Sequence, residues 1–73
     1  MTRLPAITGR ECIQALIKLG FVLKRQVGSH VILRRDEPFS QVVVPDHKAL
    51  DRGTLRAIIR HAGLTMDEFI AKL

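Results

Sequence analysis

The sequence predicts an α+β fold: a three-stranded antiparallel sheet flanked by helices in the order α-β-β-β-α, with a short further helix at the C-terminus. Three observations carry that expectation. Apolar residues recur at helical spacing near both ends, at Ile13, Leu16, Ile17 and Gly20 and again at Leu55, Ile58, Ile59 and Ala62. Between them lie three short β-prone runs joined only by turns. Within Val27-Gly28-Ser29-His30-Val31 the first two runs meet at Gly-Ser, a two-residue hairpin signal, because Gly accepts the φ > 0 that a type II′ turn requires.

Thr8-Gly9-Arg10-Glu11 fits a capping box, with the Thr8 hydroxyl accepting from the Glu11 N–H and the Glu11 carboxylate reaching back. A helix is expected over residues 9–19, ended by Gly20 in a left-handed conformation. Residues 21–26 and 30–35 form the arms of the hairpin, and Asp36-Glu37-Pro38 is the next turn. A third strand over residues 40–44 ends at Pro45, which cannot donate to a ladder. A two-residue turn sets Phe21, Leu23 and Ile32 on one face of the hairpin but Val22, Val31 and Leu33 on the other. Both sets are mixed with charges, so either face is open to being the buried one. Residues 46–50 read as a loop. Asp51 or a neighbour opens a second helix, closed by Gly63, and Thr65-Met66-Asp67-Glu68 is a second capping box before a short helix through Phe69, Ile70 and Leu73. Helices on one face of a meander, with the other face open, are the arrangement of the double-stranded RNA-binding domain.

Seventy-three residues suffice for one small domain over residues 1–73, burying roughly 60% of the unfolded surface. With no Trp or Tyr and three Phe, the core must come from Leu, Ile and Val. Twelve Lys and Arg against seven Asp and Glu leave a net charge of +5. That balance favours a polyanionic partner, nucleic acid ahead of an anionic membrane surface. The single cysteine, Cys12, has no partner for a disulfide or a zinc site and is expected as a core thiol. The N-terminal Met1-Thr2-Arg3-Leu4-Pro5 lacks an apolar leader segment, and no uncharged apolar run exceeds three residues. The expectation is a cytoplasmic protein without a membrane span.

His30 stands at the hairpin mouth among Lys24, Arg25, Arg34 and Arg35. A neutral imidazole between fixed positive charges can take a proton while its neighbours hold a phosphate. The same stretch also reads as a turn followed by an ordinary surface histidine. Arg52, Arg56 and Arg60 recur every four residues and so share one face of the second helix. No acidic residue lies three or four positions from Arg56 or Arg60, which leaves them to solvent or to phosphates. His47 suits either a site role or a hydrogen bond that orders its loop. His61, near a helix C-terminus, fits the helix dipole and is left out of the site. The carboxylates are scattered, and neither a metal nor a cofactor is expected.

Leu4-Pro5, Thr8-Gly9-Arg10-Glu11, Leu19-Gly20-Phe21, Arg25-Gln26, Gly28-Ser29-His30, Val44-Pro45-Asp46-His47, Gly53-Thr54-Leu55-Arg56 and Ala62-Gly63-Leu64 follow one another in that order. Together they resemble the HicA-type toxin family, small mRNA interferases of toxin–antitoxin modules, over nearly the whole chain. Arg10 stands where the family commonly has Lys, and Leu33 where an aromatic residue is more usual. The resemblance implies a fold like the double-stranded RNA-binding domain and a ribonuclease that needs no metal. It also implies His30 as the catalytic residue and a HicB-type antitoxin that covers the site.

The chemistry suits the residues. RNA supplies the 2′-OH nucleophile, so cleavage needs a base, stabilisation of phosphoryl charge and protonation of the 5′ oxygen. His30 fits the base; His47, Lys24, Lys48 or His30 itself fits the acid. The expected RNA-binding set is Lys24, Arg25, Gly28, Ser29, Arg34, Lys48, Arg52, Arg56 and Arg60, with His47 a candidate auxiliary group. The rival reading is a non-catalytic RNA-binding domain using the same basic surface. A DNA-binding regulator ranks third, there being no helix-turn-helix signature.

Overall fold

Both capping boxes form as expected, and with Asp51 they start all three helices. In the computed structural model, which describes residues 3–73, the elements run α1 (Gly9–Lys18), β1 (Val22–Val27), β2 (His30–Asp36), β3 (Phe39–Pro45), α2 (Arg52–His61) and α3 (Met66–Ile70). Met1 and Thr2, the first residues of the stretch read for a leader, lie outside the described residues. The Glu11 N–H donates to Thr8 Oγ1 at 3.0 Å and the Thr8 N–H to Glu11 Oε1 at 2.9 Å. Thr65 and Glu68 repeat the exchange at α3. Asp51 caps α2, accepting from the Thr54 N–H at 2.7 Å and from the Thr54 hydroxyl at 3.1 Å. Gly20 and Gly63 end α1 and α2 with φ of 99° and 72°. Leu19 is the C-cap of α1 rather than its last helical residue.

The strands pair antiparallel in the order β1-β2-β3. Both α1 and α2 lie against β3, and α3 against α1. One face of the sheet is therefore covered, and the alternation of β3 shows which. Ser40, Val42 and Val44 are buried, while Phe39, Gln41 and Val43 are exposed. Val31 and Leu33 join the covered face beside Leu16, Leu55, Ile58 and Phe69.

The two-sided pattern of the hairpin is resolved by a bulge. The pairing runs regularly from Val27↔His30 to Arg25↔Ile32, then skips, so that Leu23 and not Lys24 opposes Leu33. Lys24 is the inserted residue. One extra residue reverses the facing of everything before it, which sends Phe21, just ahead of β1, into the core at 2% exposure. Burying a Phe side chain is worth roughly 1.5–3 kcal/mol. A disrupted ladder hydrogen bond costs about 0.5–1.5 kcal/mol net, so the bulge is favoured.

Arg35 belongs to this core side and leaves the hairpin-mouth group in which the sequence set it. Its guanidinium lies 4.8 Å from the Phe21 ring centroid and donates to the carbonyls of Pro38 and Ala62, each at 3.0 Å. Ser40 adds a 2.6 Å bond from its hydroxyl to the His61 carbonyl. A cation and a hydroxyl from the sheet thus satisfy the carbonyl end of α2, where the helix dipole favours positive charge. Cys12 is fully buried in α1, and burial pushes its thiol up to about 12. Among the described residues no helix is long and apolar enough to cross a membrane.

At the opposite end Gly9 closes the layers. Its N–H donates to the His47 carbonyl at 2.8 Å, and the Leu50 N–H donates to the Ile7 carbonyl at 2.9 Å. A Cβ on residue 9 would run into the Pro45 carbonyl oxygen. Gly9→Ala is accordingly expected to destabilise the protein, by about 1–3 kcal/mol from overpacking, although Ala is intrinsically the better helix former by about 1 kcal/mol. Urea unfolding measures it, and a gain in stability would contradict the close approach.

The caps carry a pH dependence. The Thr54 and Thr65 N–H groups hold the Asp51 and Glu68 carboxyls below their ordinary values of 3.8 and 4.5. A lowered folded-state pKa stabilises above the ordinary value and is lost as pH falls through the lowered one. Wild type should therefore lose more stability on acidification below about pH 4.5 than the Asp51→Asn, Glu68→Gln double variant does. Parallel thermal melts across that range decide it; identical losses would remove the caps from the acid response.

Candidate functional site

The hairpin tip is built as its sequence requires. Val27 pairs with His30, leaving Gly28 and Ser29 as the two loop residues. Gly28 has φ of 59°, and no described residue other than Gly has positive φ, which is the type II′ pattern. Gln26 Nε2 donates to the Gly28 carbonyl at 3.0 Å. The Asp46 N–H donates to the Ser29 carbonyl at 2.6 Å, fastening the tip to the loop after β3. Arg10 Nε meets Asp46 Oδ1 at 3.3 Å, so the first turn of α1 is tied to the same loop.

His30 follows directly on this fastened turn. Val31 beside it is buried, so alternation directs His30, Ile32, Arg34 and Asp36 to the open face. Across the strands His30 lies between Val27 and Pro45, and Ile32 between Arg25 and Val43. Its imidazole is exposed and has no hydrogen-bond or ion-pair partner among the described residues. Arg25 is its diagonal neighbour, about 7 Å away between Cβ atoms, a distance a guanidinium spans easily. Arg25 also has no ion-pair partner among the described residues. An imidazole free to exchange a proton, beside a free guanidinium, can bind an oxyanion and act on a hydroxyl bound with it.

The other expected site residues divide into two groups. Arg34 shares the open face but stands four residues along β2, about 13 Å from His30, and its Nε is held 2.9 Å from Asp36 Oδ1. Lys24 is exposed at the bulge, next to Arg25. His47 and Lys48 are exposed in the loop that receives the tip. The expected loop-ordering bond of His47 comes from its backbone. Its N–H donates to the Pro45 carbonyl at 2.9 Å and its carbonyl accepts from Gly9, while the ring has no partner among the described residues. Arg52, Arg56 and Arg60 are exposed on the side of α2 away from its buried Leu55, Ile58 and Ile59. They belong to the helical layer, on the other side of the sheet from His30.

Several neighbours went unnoticed in the sequence. Gln26 and Arg10 support the tip. Val22, Val27, Val43 and Phe39, between 47% and 69% exposed, make the open face largely apolar, with Val27 and Val43 beside His30 and Arg25 and with Val22 and Phe39 toward its far end. Phe39 and Val43 were accessible from the alternation of β3, whereas Val22 needs the bulge. Among the described residues no three His, Cys, Asp or Glu side chains cluster closely enough to hold a metal ion.

Comparison with known proteins agrees with this geometry at the level of family. A search among curated proteins returned no match. The family described as "HicA toxin of bacterial toxin-antitoxin" matches residues 9–64, from the first residue of α1 through the end of α2. That span includes all of α1, the whole sheet, the fastened tip with His30 and the arginine-bearing helix, well over half of the chain. The chain belongs to the HicA toxin family of bacterial toxin–antitoxin systems.

Proposed function

We propose that the chain acts as a single domain over residues 1–73, an mRNA interferase that cleaves RNA with His30 as general base. The observation that carries this reading is the exposed, unpartnered imidazole on a turn fastened from both sides, with the Arg25 guanidinium as its diagonal neighbour.

In this mechanism His30 removes the 2′-OH proton and the 2′ oxygen attacks the adjacent phosphorus. Arg25, with Lys24 beside it, bears the charge that builds on the non-bridging oxygens, a contribution that is often the largest in such reactions. The bond from phosphorus to the 5′ oxygen breaks as that oxygen takes a proton from His47, Lys24, Lys48 or the protonated His30. The products are a 2′,3′-cyclic phosphate and a free 5′-OH. No step calls on a metal or a cofactor. The RNA is a messenger and the cell compartment the cytoplasm; Gly28, Ser29, Arg34 and Lys48 line the strand's approach, and Arg52, Arg56 and Arg60 hold phosphates further along. A HicB-type antitoxin is the natural inhibitor, set over the hairpin tip.

His30→Ala should lower cleavage of an end-labelled RNA by about 10²–10⁴-fold with unchanged circular dichroism, since the side chain is exposed. Wild-type cleavage should persist in EDTA, and a substrate with 2′-deoxyribose at the scissile position should stay intact. Cutting of the deoxy substrate would replace 2′-OH attack by attack of water. A wild-type protein that binds RNA without cutting it would leave the non-catalytic RNA-binding domain.

Antitoxin over the tip implies that the saturated complex is inactive while His30→Ala still forms it, because exposed main chain and neighbouring cations supply the contacts. Pull-down with the His30→Ala protein and a cleavage assay on the wild-type complex check both halves. Full cleavage by the saturated complex would rule out inhibition by occlusion.

A further inference from the structure

The basic stripe of α2 ends in a depression that the chemistry at His30 does not use. Arg56, Ile59, Arg60, Leu64, Thr65 and Met66 line an open hollow of about 370 Å³ between α2 and α3. Its floor is aliphatic: Ile59 is buried, while Leu64 and Met66 are half-buried against the core. Its rim carries two exposed guanidiniums with no ion-pair partner among the described residues. The nearby Glu68 carboxylate turns back to accept from the Thr65 N–H at 2.8 Å.

We propose that this hollow seats one unpaired RNA nucleotide, its base on Ile59, Leu64 and Met66 and its phosphate on Arg56 and Arg60. The assignment rests on the RNA-cleaving reading and adds a second contact, in the helical layer, to the one at His30. The seat offers the two surfaces a nucleotide needs side by side. Apolar carbon and a polarizable thioether suit the flat face of a base, and sulfur makes favourable contacts with aromatic rings. The paired guanidiniums suit a phosphate. Arg52, Arg56 and Arg60 follow one another at about 6 Å along the helix axis, one per turn. Evenly spaced cations match a polymer with one charge per unit better than a peptide carrying a single acidic side chain. A base must be unstacked to lie on the floor, so the substrate held here is single-stranded.

The test uses the non-cutting His30→Ala protein and a short labelled oligoribonucleotide without secondary structure, followed by fluorescence anisotropy over a salt series. Adding Met66→Ala should weaken binding about three- to tenfold with the salt slope unchanged, and Met66→Leu should restore most of it. Adding Arg56→Glu and Arg60→Glu should weaken binding and flatten the log–log salt slope by about 0.7, for the one single-strand phosphate the two guanidiniums share. A duplex of the same sequence should be indifferent to Met66→Ala. Should that variant fail to fold, methyl resonances of the wild type supply the readout. Uridine monophosphate should shift Ile59, Leu64 and Met66, whereas ribose 5-phosphate should leave them in place. His30-dependent cleavage by the wild type alongside unaltered binding by Met66→Ala would overturn the nucleotide seat and leave the nuclease standing. Absence of both binding and cleavage in the wild type would remove both. Loss of antitoxin capture with RNA binding intact would give the hollow to a protein partner and also overturn the proposal.

Discussion

The inserted residue at Lys24 is the constraint on which the rest of the hairpin depends. Counted back from the fastened tip, strict alternation would put Phe21 on the same face as Arg25 and His30. One large aromatic would then lie in water, or two polar side chains would enter the core. With Lys24 as an extra residue, the inner half of β1 keeps Arg25 on the open face while Phe21 crosses to the covered one. The bulge thus lets Phe21, just ahead of β1, enter the core while the far half of the six-residue, exposed strand borders the candidate site.

The other end of the sheet is held by main chain rather than by side-chain packing. The Asp46 N–H reaches the tip at Ser29 while the His47 carbonyl receives the N–H of Gly9, so consecutive residues bind the hairpin and the first helix to one loop. Such bonds are indifferent to the side chains they carry. They leave His30 and His47 with free rings while fixing the backbone beneath them, the combination a proton-transferring group requires. Arg10 is drawn into the same junction by Asp46, although its own position is highly exposed.

Much of this was legible in the sequence because it is local. The capping boxes at Thr8 and Thr65, the glycine stops at positions 20 and 63, and the type II′ turn each depend on residues a few positions apart. The family was legible as well, through short motifs in fixed order. What escaped depends on partners far along the chain. Apolar residues on both faces of the hairpin were the one visible sign of the bulge, and alternation alone does not say where a strand slips. Arg35 looked like a site cation because it stands beside Arg34 a few residues after His30; its destination, the α2 carbonyl end 27 positions on, is set by the fold. Likewise the twelve Lys and Arg read as a single basic surface, while packing divides the candidate phosphate contacts between the open sheet face and the outer side of α2.

Cys12 gives the chain an unplanned property. It is the lone thiol, fully buried in α1, and its pKa of about 12 leaves almost no thiolate near neutral pH. Neither disulfide exchange nor alkylation can reach it while α1 stays packed on the sheet. Any modification must wait for the structure to open, so the rate at which a thiol reagent reacts counts opening events rather than surface chemistry. The protein therefore carries its own reporter of unfolding at the centre of its core, without a label and without touching the open face.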